Sequence, residues 1–185
     1  MSRLLVLTGK TAAGKDSILS LLLAKYPNLR RVITTTTREP RTGEKENQDY
    51  HYLNKEGFEK KVQNGEFLEH VEYGGNFYGT EKKELEDEKN IDLIWKIDPS
   101  RAGTIKEMLK DRFNKVIVFY ITTDDQTIQQ RLNDRGLTSN EMEKRMQDDK
   151  KYWDQYKDNY DYVIENVPGQ VEETIDKISQ IIDSI

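Results

Sequence analysis

The chain contains no cysteine, which excludes disulfides, thiolate zinc sites and a cysteine nucleophile, and suits a reducing cytoplasm. Histidine is almost as scarce. His51 and His70 are the only two, far apart in sequence and without metal-ligand spacing, so they are read as surface or core residues. Long hydrophobic runs are missing as well. The longest, Ile18 to Ala24 with Ser20 inside it, falls far short of the roughly 20 residues that span a bilayer, so no membrane partner is expected. Met1-Ser2-Arg3 leads straight into an apolar Leu4–Leu7, leaving no room for a signal peptide; the expected location is cytoplasmic. A basic excess is absent too. With a net charge of -5 and 34% charged residues of mixed sign, no nucleic-acid footprint covers the surface, although a local basic pocket is allowed. A monomer or a homodimer is expected.

At 185 residues the chain suits one domain with small insertions and a proper core. Leu4–Leu7 reads as a continuously apolar strand of a buried parallel sheet. Helical periodicity runs from Lys15 to Lys25 and stops at Pro27. Arg31–Ile33 is a second strand. From Thr34 to Thr80 apolar residues thin out, and short strands and turns are expected. Glu81–Asn90 reads as a charged helix. Ile91–Asp98 is a strand ending at Pro99, with Ser100 capping a helix that runs to about Phe113. Val116–Ile121 is the clearest buried strand. Thr123-Asp124-Asp125-Gln126 has capping-box spacing and opens a helix ending at Arg135-Gly136; Thr138-Ser139-Asn140-Glu141 repeats the spacing before a long charged helix. Tyr152, Tyr156 and Tyr160 recur at helical spacing beside Trp153, which suits a packing face. Tyr162–Ile164 is a last strand, and Val171, Ile175, Ile178, Ile182 and Ile185 form one stripe of a closing helix. Strands alternating with helices imply an α/β layered fold with a parallel sheet.

The stretch Gly9-Lys10-Thr11-Ala12-Ala13-Gly14-Lys15 matches G-x-x-x-x-G-K. Glycine and lysine frequencies alone produce that pattern in roughly one chain in twenty of this length. Here it follows a strand and opens a helix, as phosphate cradling requires. The glycines let backbone N–H groups point at phosphate oxygens, the helix N-terminus adds its dipole, and Lys15 brings a cation to the β- and γ-phosphates. Asp16 stands where the pattern ordinarily has the Ser or Thr that helps hold Mg²⁺. A carboxylate is a hard oxygen ligand, so Asp16 is the candidate metal ligand. Ser17 offers its hydroxyl one position late.

Downstream, "TTTTREPRTGEKENQDYHYL" places Arg38 and Arg41 around Pro40, with Tyr50 following. Two guanidinium forks and a phenol suit a dianionic phosphate. "NGEFLEHVEYGGNFYGT" holds Glu69, Tyr78 and Thr80; a carboxylate such as Glu69 can accept paired hydrogen bonds of the kind guanine's N1–H and N2–H₂ edge presents.

These stretches, with "GKTAAGKD", "IDP", "RLNDRG…EKRM" and "YDYVIEN", resemble guanylate kinase over nearly the full chain. The resemblance implies ATP + GMP ⇌ ADP + GDP (or dGMP to dGDP) with Mg²⁺. The implied fold is a three-layer P-loop NTPase core at 1–33 and 88–185, a small mixed α+β nucleotide-monophosphate-binding insertion at 34–87, and a helical lid at 125–147. It implies that Gly9, Lys10, Thr11, Ala12, Ala13, Gly14, Lys15, Asp16 and Ser17 line the ATP phosphates, with Asn166 beside the adenine. Arg38, Arg41, Tyr50 and Tyr78 would hold the GMP phosphate. Glu69 would read guanine, helped by Thr34 and Thr80 where the family usually has Ser, and Asp98 would stand near guanine and the metal's water shell. Arg131 and Arg135 match the lid arginines, and Arg145 matches a further arginine approaching the transferred phosphoryl group. Lys15 and these three arginines are the catalytic set.

The chain departs from the family pattern at several positions. Lys96 replaces an acid two residues before Asp98, Ser100-Arg101 replaces Gln-Gly, Asp148 and Asp149 stand where small apolar residues are common, and Lys10 replaces a Pro or similar residue. Two alternatives follow: a kinase of another nucleotide or a sugar phosphate, or a catalytically silent guanylate-kinase-like interaction module.

Overall fold

The computed structural model describes residues 2–73, 75–86 and 91–185. Along the chain its elements are β1 (Arg3–Gly9), α1 (Lys15–Lys25), β2 (Leu29–Val32), β3 (Thr35–Thr36), β4 (His51–Tyr52), α2 (Lys55–Gln63), β5 (Phe67–Tyr73), β6 (Asn76–Glu81), β7 (Asp92–Lys96), α3 (Pro99–Leu109), β8 (Lys115–Thr122), α4 (Asp125–Asp134), α5 (Ser139–Tyr156), β9 (Tyr162–Glu165) and α6 (Val171–Ser184). They form two compact units, Met1–Arg30 with Asn90–Ile185, and Arg31–Lys89. Among the described residues no helix is long and apolar enough to cross a membrane.

The first unit is built on a five-stranded sheet of order β2-β7-β1-β8-β9. β1 runs parallel to β7 and β8, and β8 runs parallel to β9. Leu4, Leu5, Val6 and Leu7 are each no more than 1% exposed, because helices cover both faces of the sheet. On one face Leu5, Leu7, Ile94, Phe119 and Ile121 pack with Ile18, Leu19 and Leu22 of α1 and with Ile175, Ile178 and Ile182 of α6. Burial of each such side chain stabilises by about 1.5–3 kcal/mol. The alternate side chains point the other way, towards α3, with α5 behind it. There Tyr120 meets the rings of Trp153 and Tyr160 at 4.9 and 4.8 Å, so part of the aromatic face read in α5 is core. Arg3 links sheet to helix: it pairs with Asp92 on β7 and donates to the last carbonyls of α6, Ile182 O and Ile185 O, at 2.8 and 2.9 Å.

Three local expectations are corrected. Asp98, not Ser100, caps α3, accepting from Ser100 N and Arg101 N at 3.0 and 3.2 Å; Pro99 then occupies the first turn, where a missing N–H costs nothing. Asp124, not Thr123, caps α4, accepting from Thr127 N at 2.8 Å. The helix expected at 81–90 is only a short 3₁₀ turn, Lys82–Leu85, because buried Glu81 is held in β6 by Thr35 and Lys61; residues 87–90 lie outside the described ones. Thr138 and Glu141 do form the expected capping box at the start of α5.

The second unit carries a four-stranded sheet of order β4-β3-β6-β5. β6 is antiparallel to β3 and β5, while β3 and β4 run parallel. Its apolar centre is small: Phe58 of α2 stacks on Phe67 and Phe77 at 4.4 and 5.5 Å. Charged groups close around it, with Lys61 bonded to both Glu66 and Glu81 at 2.7 and 2.9 Å.

Gly103 fixes how closely α3 meets α5, since a Cβ there would lie 2.3 Å from Tyr156 Cγ. Gly103→Ala is expected to destabilise the protein by about 1–3 kcal/mol through overpacking. Urea denaturation monitored by tryptophan fluorescence checks this, and unchanged stability would refute the close contact.

Candidate active site

The phosphate loop joins the C-terminal end of β1 to α1, the end of a parallel sheet where ligands bind in open α/β folds. Each of its first residues is tied to a different part of the first unit. Lys10 N donates to Ile121 O at 2.9 Å. Thr11 N donates to Asp149 Oδ2 of α5 at 2.7 Å. Ala12 O accepts from Arg131 of α4 at 2.8 Å, and Ala13 O accepts from the Asn166 side chain at 2.8 Å. Gly9 is indispensable to this shape: its φ is +134° and a Cβ would fall 2.0 Å from Ile121 O. Ala12, also at positive φ (54°), is fixed by a small apolar cluster with Ile128, Leu132, Met142 and Met146. The α4–α5 pair expected to act as a lid therefore packs directly on the loop.

Lys15 stands at the start of α1, its Nζ donating to Gly9 O and Lys10 O at 2.9 and 2.5 Å. Burial lowers its pKa to about 8, while Asp149 and Asp16 raise it and Lys96 and Arg135 lower it further. This places Lys15, Asp16, Lys96, Arg135 and Asp149 in one electrostatic neighbourhood. Asp16 lies in the first turn of α1 and Ser17 beside it is exposed. The Asp16 carboxylate is paired with the Lys96 ammonium at the end of β7. Among the described residues no three His, Asp or Glu side chains gather into a metal cage. The donor set fits a cation that arrives on a polyphosphate and takes most of its oxygens from that ligand, with Asp16 as the protein's contribution.

The other first-unit candidates divide. Lys10 turns its ammonium to Asp125 at 2.8 Å. Asn166 is 5% exposed; its side-chain amide donates to Ala13 O and accepts from the Thr174 hydroxyl, so it supports the loop. Arg135 follows α4 on the exposed surface, and Arg145 lies on α5 one turn before Asp149. Asp98 has its carboxylate on the α3 cap.

In the second unit Arg38, Tyr50 and Tyr78 come together. The Arg38 guanidinium lies 5.3 Å from the centre of the Tyr50 ring, and the rings of Tyr50 and Tyr78 meet edge-on at 6.3 Å. Glu44 organises this cluster, its two carboxylate oxygens accepting from Arg38 Nη2 at 2.8 and 2.9 Å, with Arg41 N at 2.7 Å and the Tyr52 hydroxyl at 2.9 Å. Burial opposes the charge on Glu44, but these donors hold its pKa below the ordinary carboxylate value. Glu44 was missed as a functional residue, although its position three after Arg41 in "REPRTGE" is a usable signal. Glu69 on β5 faces Thr80 on β6 across the antiparallel ladder. Both are buried, and the Thr80 hydroxyl has no hydrogen-bond partner in the structure. A buried carboxylate beside a hydroxyl seeking a partner is a ready reader of a planar N–H edge. Thr34 contributes its carbonyl to β4 through His51 N at 3.0 Å.

Asp149 was noted in sequence only as a departure from the family pattern. Burial raises its pKa from 3.8 to about 6 despite the Thr11 N–H and the charge of Lys15. A carboxyl whose folded pKa exceeds its unfolded value stabilises the fold below pH 3.8, and that contribution is lost as pH rises through about 6. Asp149→Asn is therefore expected to match the wild type in stability near pH 4 and to exceed it near pH 7, by on the order of 2 kcal/mol. Denaturation of both proteins across that range checks the sign; an advantage that shrinks with rising pH would contradict it.

A family model described as guanylate kinase matches residues 1–185. The chain is 37% identical over 165 residues to the guanylate kinase of Symbiobacterium thermophilum, covering 88% of this chain and 77% of that protein. It is 34% identical over 182 residues to that of Anaplasma phagocytophilum, covering 97% and 85%. The crystal structure of guanylate kinase from Anaplasma phagocytophilum superposes with a TM-score of 0.74 at 30% identity, covering 99% of this chain and 85% of that one.

Proposed function

This chain belongs to the guanylate kinase family, and on that premise we propose that it transfers the terminal phosphoryl group of ATP to GMP or dGMP, giving ADP and GDP or dGDP. The observation that carries the acceptor's identity is the buried Glu69–Thr80 pair on adjacent strands. Glu69 accepts from guanine's N1–H and N2–H₂, and Thr80 bonds the same base. The cluster of Arg38, Arg41, Tyr50 and Tyr78 takes the monophosphate, with Glu44 yielding the Arg38 fork to it. Such charge-assisted, bidentate contacts recognise a dianion strongly.

The donor's phosphates enter the loop, where backbone N–H groups and Lys15 receive them. A phosphate oxygen of GMP attacks the γ-phosphorus in line, the bond from γ-phosphorus to the bridging oxygen breaks, and ADP leaves with that oxygen. The chemistry needs positioning and neutralisation of spread-out charge more than a covalent catalyst. Arg131, already directed at the loop, acts with Arg135 and Arg145 in that neutralisation. Mg²⁺ arriving with ATP would be held by Asp16 and would supply further charge neutralisation. A reaction that makes GDP or dGDP from the monophosphate belongs to purine nucleotide metabolism, and its use of ATP suits a cytoplasmic enzyme.

Steady-state kinetics with ADP release coupled to NADH oxidation test the assignment. Glu69→Gln is expected to lower kcat/KM for GMP roughly 10- to 100-fold by leaving a guanine N–H unmatched. Arg41→Met is expected to raise the KM for GMP about tenfold or more while the KM for ATP stays nearly unchanged. Equal losses for both substrates, or GMP turnover indifferent to Glu69, would contradict the acceptor site.

A further inference from the structure

Two side chains that each break a pattern meet in the structure. Asp16 stands where the phosphate-loop pattern has a hydroxyl, and Lys96 ends β7 in register with Leu7 of β1, two residues before the loop begins. Their ammonium and carboxylate are paired. The burial of the two is unequal: the Lys96 side chain is 15% exposed and that of Asp16 73%. A largely buried ammonium is costly without a counter-charge, and Asp16 supplies one at the mouth of the loop. Lys15 lies next in sequence to Asp16 and shares its surroundings with Lys96 and Arg135.

We propose that Lys96 is a phosphate-binding cation of the donor site, held in waiting by Asp16, which turns to the β- and γ-phosphate oxygens when the nucleotide enters and makes its binding largely independent of divalent metal. The inference rests on the reading of the loop as the ATP site. A triphosphate in this loop needs positive charge beyond Lys15. Here the protein carries a second ammonium on the rigid end of a central strand, within bonding reach of α1's first turn. A carboxylate offers stronger attraction to that ammonium than a hydroxyl could, and it is exposed, so water can solvate it once the ammonium leaves.

The test is displacement of a fluorescent N-methylanthraniloyl-ADP from the full chain by ADP and ATP, once with excess Mg²⁺ and once with excess EDTA. The wild type is expected to lose no more than about tenfold in affinity on metal removal. Lys96→Met is expected to lose about tenfold or more against the wild type in EDTA, with a smaller loss in Mg²⁺. Lys96→Arg should retain EDTA binding, and Asp16→Asn, which frees the ammonium and removes a negative charge, should tighten it. Melting temperatures establish that each variant is folded; if Lys96→Met is not, the Asp16→Asn arm decides. Wild-type binding that falls more than tenfold in EDTA overturns the proposal, as does Lys96→Met that matches the wild type there, or Asp16→Asn that binds no tighter. Absence of nucleotide binding in Mg²⁺ would instead overturn the donor-site reading itself, so the two failures are distinguishable.

Discussion

Four hydrogen bonds from four different segments hold the phosphate loop in shape, and the candidate chemistry of the first unit depends on them. The end of β8, Asp149 on α5, Arg131 on α4 and Asn166 after β9 fix Lys10, Thr11, Ala12 and Ala13 in succession. A loop of backbone dipoles aimed at an anion would relax towards pairing with itself if left alone. Tied to packed elements, it presents its dipoles without reorganisation when charge arrives, which is where electrostatic binding and catalysis gain most. The glycine at its start admits no side chain because the backbone of β8 lies against it.

The same ties set the electrostatics. Asp149 is buried because it must reach the Thr11 N–H, and burial raises its proton affinity, favouring the neutral acid. The loop wraps the Lys15 ammonium, and the desolvation this brings works against its charge too. Lys15 held against desolvation, with Lys96 and Arg135 in the same surroundings, makes this neighbourhood a place where an added polyanion is welcome. In the second unit Glu44 does for Arg38 what Asp16 does for Lys96: it keeps the cation oriented by giving it a carboxylate partner, while also holding the Arg41 backbone N–H.

Much of the fold is legible in the sequence because its signals are strong and local. The continuous run Leu4–Leu7, the strand Val116–Ile121 and the isoleucine stripe of α6 lie where their periodicity puts them. Caps were harder to read, since neighbouring Ser, Thr and Asp residues compete for one role, and at both α3 and α4 the aspartate takes it. Glu81 shows why a helix does not start at 81: a tertiary bond network outweighs propensity. Of the candidate site, the loop and the Arg38–Tyr50–Tyr78 cluster were visible as residue types at suitable spacing. The Lys96–Asp16 pair, the Thr11–Asp149 bond and the support that Asn166 gives to Ala13 join residues 80 to 153 positions apart, and no single-sequence pattern relates such positions.

The account stands or falls on the acceptor. Incubating the protein with ATP, Mg²⁺ and, in separate reactions, GMP, dGMP, AMP, UMP and dTMP, and separating the nucleotides by anion-exchange chromatography, measures it directly. The account predicts GDP or dGDP appearing in step with ADP from the guanine nucleotides and at most traces of diphosphate from the others. ADP formed without a matching nucleoside diphosphate, turnover only with a non-guanine acceptor, or no turnover with any of them would contradict it.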